Sequence, residues 1–493
     1  MEYAVEGNSR LPAIAIEGAV MPFLGEGKTL RDVESARSAL EGVYHDAGYL
    51  TVVVTIPEQE VAGGTVTLNV LEGQVERLRV KGADYHLVSG IKERLPELAA
   101  GNVPYFPQVQ RELEALNRSA DLQATPVLKA GRSPGMVEVQ IDVQDDLPLH
   151  GSLETSNRQS ANTTALRLSG SLRYDNLWQR GHSASLTVQT SPEKTDEVRT
   201  AAGTYVMPMG TAGDALVLYS VLSRSKLATL AGSPGLGLLG DSNIYGLRYA
   251  LALPGYENFG QSLSVGVDYK DVKQSVVVAG SAELPSPISY APLVAAYSGS
   301  WLGNSRSTTL DATATHGMRG LFGSHDDEFA AKRSGASADF FSLRAGVQHT
   351  EIAQRWALSA KLEMQIASGP LVSNEQYAAG GAESVRGYLE GERVGDAALR
   401  WAIEARTPKF PLAGKESSLR VTGLAFYEGV RLRTLQPVFP QPSYLTLRGT
   451  GVGLRVSGSH GLSFDLDWAL ALDDGAITRA GDMRVHSRLQ LEF

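Results

Sequence analysis

The chain has 493 residues, carries 45 Lys+Arg against 54 Asp+Glu for a formal net charge of −9, and contains no cysteine. That length exceeds one ordinary core and predicts two or more domains. The acidic balance argues against a nucleic-acid partner, which needs concentrated positive charge, and the missing cysteines exclude disulfides, thiolate nucleophiles and cysteine-ligated metals.

No run of about 18 apolar residues occurs, so no membrane-spanning helix is expected. A transmembrane β-barrel stays open, because its alternating strands leave little hydropathy signal. Met1 leads into the sequence with neither a basic segment nor an apolar one, so no export leader is legible there.

Residues 1–146 mix helical and strand periods. Leu30, Val33, Ala36, Leu40 and Val43 recur at helical spacing. Thr29 stands at the N-cap with Asp32 at the third position, and Gly48 stands near the end. Strand-like runs follow at 50–56 and 65–71, split by the turn PEQEVAGG at 57–64. The pattern then returns, with a strand at 75–80, helices at 84–95 and 107–120, and strands at 122–128 and 136–143 around KAGRSPG. The order predicts two successive β-α-α-β-β units, at 1–74 and 75–146, each about 70 residues long.

After Pro148 the helical periods vanish. Short alternating segments remain, at 149–158, 167–177, 182–192, 201–210, 215–223, 243–254, 261–272, 292–303, 305–318, 337–349, 355–368, 395–407, 417–430, 445–459, 462–472 and 483–493. Their number is sixteen, and single-chain bacterial barrels have even strand numbers. In 355–368, Trp356, Leu358, Leu362, Met364 and Ile366 share one face, opposite Lys361, Glu363 and Gln365. In 261–272, Val265, Val267 and Tyr269 oppose Ser264, Asp268 and Lys270, and in 462–472 Phe464, Leu466 and Trp468 oppose Asp465 and Asp467. A soluble sandwich also alternates, but its strands run about 5–6 residues. These approach the 9–11 residues or so that cross a bilayer at a tilt. The fold class expected is therefore α+β repeats followed by an all-β transmembrane barrel over 148–493. Leu489, Leu491 and Phe493 close the alternation on an aromatic terminus, as a barrel's C-terminal signal would.

Few other constellations carry chemistry. The nine histidines show no metal-ligand spacing. GTGVG at 449–453 lacks the βαβ context of a dinucleotide site and reads as a glycine-rich strand. Asp326, Asp327 and Glu328 read as a solvated loop and not a calcium site. No nucleophile elbow, P-loop or zinc-binding HExxH occurs. No catalysis, cofactor or metal is expected.

The segment 369–394 reads as a long loop that contains VRGYLEGE. Arg386 keeps its charge and presents a planar fork suited to a carboxylate. Gly387 allows close backbone approach, and Tyr388 adds packing and a hydroxyl. With VEGNSRLP, GYLTVVVTIPEQE, YDNLWQRGHSASLTVQTSPE and GGAESVRGY, nearly the whole chain resembles the two-partner secretion transporters, the TpsB group or ShlB/FhaC/HecB family. These are barrels preceded by polypeptide-transport-associated (POTRA) domains.

The resemblance implies that Val385, Arg386, Gly387 and Tyr388 sit on a loop folded into the lumen, with the arginine paired to an inner-wall acid. AFYEGV supplies Phe426 and Glu428, 428 − 386 = 42 residues on, and Leu424 shares their face. The family usually has Asp where Glu428 stands. It further implies two periplasmic POTRA domains, an outer-membrane location, and a secreted exoprotein client of haemolysin or adhesin type. Outer-membrane lipid, the barrel-assembly machinery and periplasmic chaperones are the other implied partners, and nucleic acid is not. An export leader, often with a plug helix, is implied ahead of the first unit. The alternatives are a barrel-assembly insertase of the same superfamily and a soluble all-β binding protein.

Overall fold

The structure, a computed structural model, describes the chain except at residues 62, 134, 162, 211–212, 226–227, 230–236, 239–240, 277–283, 413–417 and 440. Parts of the expected turns at 57–64 and 129–135, and residue 417 at the expected start of a strand, lie outside the described residues. Two compact units are present, residues 1–148 with 178–180, and residues 149–177 with 181–493.

Unit one contains two three-stranded sheets of the same topology. In the first, Thr65–Glu72 is central, parallel to Glu2–Glu6 and antiparallel to Val52–Thr55. Helices Ala13–Val20 and Leu30–Asp46 cover it. The Asp32 carboxylate accepts the Thr29 N–H and hydroxyl, each at 2.8 Å, which ties the start of the longer helix. Gly48 ends it at φ +95°, where a Cβ would also meet Pro107 at 2.7 Å. Val33, Leu40 and Tyr44 from the helix meet Val66, Leu68 and Val70 from alternate strand positions. The sequence reading did not delineate the elements before Thr29. The strand Glu2–Glu6 is short, and the helix Ala13–Val20 contains Gly18 and has no side-chain cap.

In the second sheet Met136–Asp145 is central, parallel to Gln74–Lys81 and antiparallel to Leu122–Ala130. The helix expected from 84 begins only at Val88. The N–H groups of Asp84, Tyr85 and His86 instead donate to Asp145 Oδ2 at 2.7–2.8 Å, which holds them in a turn. The helix expected to 120 stops at Leu116, because the Asn117 side chain bonds both the N–H and the C=O of Ala124.

Unit two is a closed antiparallel barrel of sixteen ladder positions. All sixteen expected segments fall on its strands. Two positions hold an interrupted strand. Leu284–Tyr290 and Leu293–Leu302 both pair with Phe259–Val276, and Ala397–Arg406 and Phe410–Pro411 both pair with Arg420–Arg433. Leu284–Tyr290 was not foreseen because Pro285 and Pro287 read against a strand. The connections at one end, such as 303–305 and 354–355, are short, and those at the other, such as 317–340 and 368–396, are long.

Leu149–Ser156 pairs with Met483–Glu492 to close the barrel. Phe493 continues the seam: its N–H donates to the Gly151 carbonyl at 2.9 Å and its carbonyl accepts from Gly151 at 2.7 Å. The Phe493 ring covers Gly151, where a Cβ would lie 2.4 Å from it. Outward side chains, including Trp356, Leu358, Leu362, Ile366, Trp468, Leu489 and Leu491, are exposed. Gln189, Thr200, Asp268, Gln365, Glu428 and Asp467 are buried on the inside. Such a surface is stable in hydrocarbon, where every backbone polar group must pair and closure leaves no free edge.

Candidate functional site: the lumen loop

The long connection between Trp356–Ala367 and Ala397–Arg406 has structure of its own. Tyr377–Ala379 pairs with Arg393–Gly395 in a small antiparallel hairpin. Between them the VRGY segment reaches the inner wall. Arg386 is 6% exposed. Its Nε lies 3.0 Å from Glu428 Oε1, its Nη2 3.1 Å from Glu428 Oε2, and its backbone N–H also donates to Glu428 at 2.5 Å. The guanidinium lies 3.4 Å from the Phe426 ring centroid. The structure thus brings Arg386, Glu428 and Phe426 together, and Leu424 is buried beside Phe426.

Two further carboxylates complete the site. Glu404 accepts from Arg386 Nη2 at 3.0 Å, and Asp467 lies 3.5 Å from Nη1. Arg455 forks onto Asp467 at 2.7 and 2.8 Å, and Arg406 lies 2.6 Å from Glu404. Three arginines therefore meet three carboxylates drawn from three strands. Alternation had put Asp467 on a polar face, but no sequence spacing connects it or Glu404 to Arg386.

Val385 and Tyr388 are fully buried in an apolar cluster with Tyr377, Val430, Leu432 and Leu447. The Tyr388 hydroxyl accepts the Asp473 N–H at 3.0 Å and lies 2.9 Å from the Arg448 and Asp473 carbonyls. Gly387 adopts φ +100°, and a Cβ there would lie 3.1 Å from the Ala471 backbone nitrogen. Its N–H donates to His486 Nε2 at 3.1 Å. Sequence spacing left His486 among nine scattered histidines; only the fold brings it to the loop.

The glycine-rich strand has a role here as well. A Cβ on Gly449 would lie 2.1 Å from the Arg386 carbonyl oxygen, one on Gly451 would lie 2.7 Å from Phe426, and one on Gly453 2.1 Å from Asp467. Three inward glycines flatten the wall where the loop docks.

The loop is tied at other points too. Glu392 accepts the N–H groups of Leu389, Ile477 and Thr478 and the Thr478 hydroxyl. Burial pushes its pKa up, but these hydrogen bonds outweigh it and the net shift is down. Glu383 pairs with Arg158 at 2.6 Å, and Glu390 bridges to Ser160. At the loop's root, Asp396 is fully buried and receives the Arg333 fork with the N–H groups of Leu371 and Leu435. Arg333 follows a short helix, Asp326–Lys332. The acidic run expected as a solvated loop is the first turn of that helix, where Asp326 bonds Ser337 and Ala338 and acidic residues suit the dipole. Beside the docked loop a polar cavity of about 880 Å³ remains, lined among others by Arg248, Asp268, Asp311, Lys361 and Glu375.

Comparison with known proteins supports the same parts of the chain. The family model for the ShlB-type POTRA domain matches residues 1–73, and that for the haemolysin secretion/activation proteins ShlB/FhaC/HecB matches residues 135–423. The outer membrane transporter CdiB of Escherichia coli O6:K15:H31 (strain 536 / UPEC) is 24% identical over 401 residues, 78% of this chain and 65% of that protein. The chain thus spans slightly less than two thirds of that relative. The heme/hemopexin transporter protein HuxB of Haemophilus influenzae is 22% identical over 477 residues, 92% of this chain and 79% of that one. The solved structure of CdiB from Escherichia coli superposes with a TM-score of 0.70 at 20% identity, covering 100% of this chain and 90% of the other.

Proposed function

The chain belongs to the haemolysin secretion/activation family ShlB/FhaC/HecB, whose model covers more than half of it, and from that premise we propose that it carries an unfolded exoprotein through the outer membrane. In this reading the units at 1–74 and 75–146 are two POTRA domains in the periplasm that capture the client. A sheet edge offers one mode, since an unfolded chain has free backbone groups to pair with an unpaired strand. The barrel is the conduit, and the loop 369–394 is its plug. Val385, Arg386, Gly387 and Tyr388 anchor the plug to Glu428 and Phe426, and Leu489, Leu491 and Phe493 mark the strand recognised during assembly. No catalysis, nucleotide or cofactor takes part; folding of the client outside supplies the bias.

One observation carries the reading: a charged loop segment docked on an acidic patch inside a barrel that is apolar outside. A buried arginine on three carboxylates gives a plug that holds in one position and releases as a unit. The experiment has two parts. A periplasmic pull-down should return a long secreted polypeptide, and Arg386→Ala should insert normally yet fail to deliver that polypeptide to the medium. Recovery of other outer-membrane barrels as clients, or undiminished secretion by the variant, would overturn the reading.

A further inference from the structure

We propose that the outward face of Arg420–Arg433 and Tyr444–Ser457 binds one anionic outer-leaflet lipid, a phosphorylated and multiply acylated glycolipid. Its phosphate would lie on Arg431 and Arg433, with an acyl chain in the groove beneath. This rests on the outer-membrane reading above and goes beyond it. The register stacks outward rungs from the rim inward: Arg433 beside Tyr444, Arg431 beside Thr446, Gly429 beside Arg448, Tyr427 beside Thr450 and Ala425 beside Val452. The alternate residues Leu432, Val430, Glu428 and Phe426 are buried inside.

The two rim arginines share one ring. Arg431 Cζ lies 4.9 Å and Arg433 Cζ 5.7 Å from the Tyr444 centroid. Both are exposed, and among the described residues neither has a carboxylate partner. Arg448, one rung deeper, is neutralised by Asp473 at 2.7 Å. Two like charges about 7 Å apart on one face of a strand repel. An anion between them removes that repulsion, and guanidinium groups match phosphate oxygens in pairs. On the Ala397–Arg406 side the outward positions level with the two arginines, Ala397 and Leu399, carry no charge.

The rung below Arg448 opens an apolar groove of about 630 Å³. Small residues, Ala425 and Thr450, form its floor, and Ile403, Tyr427 and Trp468 its sides. Arg433 ends its strand on the side of the long loops, opposite the barrel's own termini. That places the arginines at headgroup level, where a charge on the lipid face costs about 0–1 kcal/mol, and the groove in the acyl layer. A groove that faces hydrocarbon is filled by lipid, and the unpaired charge above it selects an anionic one.

Native mass spectrometry on the full chain, reloaded with a bis-phosphorylated acylated glucosamine disaccharide or its dephosphorylated counterpart, tests the site. The wild type should retain the phosphorylated lipid about tenfold better, and Arg431→Ser/Arg433→Ser should lose that preference. Single Arg433→Gln, a milder change should the double variant misfold, should fall between. Inorganic phosphate should not displace the lipid; displacement would reduce the site to a phosphate site and overturn the lipid assignment. Equal retention of the two lipids, or an unchanged preference in the double variant, overturns the proposal. A wild-type chain absent from outer membranes sinks the transporter reading as well, whereas an inserted chain without the preference sinks only this one.

Discussion

Leu40 and Tyr44 in the first sheet unit and Leu358 and Ile366 in the barrel are all apolar, yet the first pair is fully buried and the second stands half exposed. Charged groups behave in the opposite way. In residues 1–148 most ion pairs lie at the surface, as Arg37–Glu34 does, while in the barrel Arg386, Glu428 and Asp396 are among the buried residues. One rule, that apolar surface leaves water, produces both arrangements because the two regions meet different solvents. The difference shows where energy is concentrated. The sheet units rest on apolar cores, and the barrel's interior adds desolvated charges to its apolar clusters.

The sharpest test of that contrast removes the charge at its centre. Arg386→Ala leaves Glu428, Glu404 and Asp467 without their shared cation, and breaking a buried pair costs about 3–5 kcal/mol. The loop should undock, raising single-channel conductance in planar bilayers and opening 369–394 to protease, while the strand ladders still run heat-modifiably. Arg386→Lys should behave much like the alanine variant, because a point charge cannot fork onto Glu428 and also reach Glu404. A lysine variant with wild-type conductance would show that charge alone holds the loop.

In residues 1–148 the matching lesion is apolar. Leu40→Ala opens a cavity in a packed core at about 2–5 kcal/mol. Limited proteolysis should then digest the N-terminal units and spare the barrel. Loss of the barrel band as well would mean that the two regions fold as one.

How much of this the sequence carried depended on the range of each signal. Period-two alternation is local, and it located a strand at each of the sixteen barrel positions, including those with Trp356, Val265 and Trp468 on the outer face. The proline-rich Leu284–Tyr290 escaped because its pairing depends on the neighbouring strand and not on its own residues. At the site, Arg386 and Glu428 could be named because a family pattern spans the 42 residues between them. Glu404, Asp467 and His486 could not: their approach to the loop follows from barrel closure, which no spacing encodes. The inward glycines 449, 451 and 453 were visible as composition, but their purpose needed the Arg386 carbonyl in view.

A smaller effect probes a buried carboxylate of the sheet units, Asp145. Asp145 accepts the N–H groups of Asp84, Tyr85 and His86 and meets the His86 ring at 2.6 Å. Burial pushes its pKa up, but the hydrogen bonds from His86 and Tyr85 outweigh this and hold it below 3.8. A carboxylate depressed on folding contributes stability above its unfolded value and loses it as pH falls through the folded one. Residues 1–148 should therefore lose that contribution only below about pH 4. Asp145→Ala should cost about 1–3 kcal/mol at neutral pH and flatten that acid limb. Circular dichroism against pH reads both, and an unchanged limb would deny Asp145 its role.

The smallest expected effect compares one ion pair in the two solvents. Arg37 and Glu34 approach to 2.7 Å, closer than the 3.0 Å between Arg386 and Glu428. Distance alone would make the helix pair the stronger. But the Glu34 side chain is 57% exposed and that of Glu428 3%. At 4 Å two unit charges attract by about 1 kcal/mol in water and about 4 in surroundings of dielectric near 20. Exposed helix pairs three or four residues apart contribute about 0.3–0.5 kcal/mol. Glu34→Gln should accordingly shift the unfolding of residues 1–148 by no more than that, and the shift should vanish at high salt. Glu428→Gln, with the same chemical change, should undock the loop at any salt concentration, since its surroundings exclude the ions that would screen it. Equal salt dependence for the two variants would mean that the lumen site is wet, and the contrast between the regions would lose its physical basis.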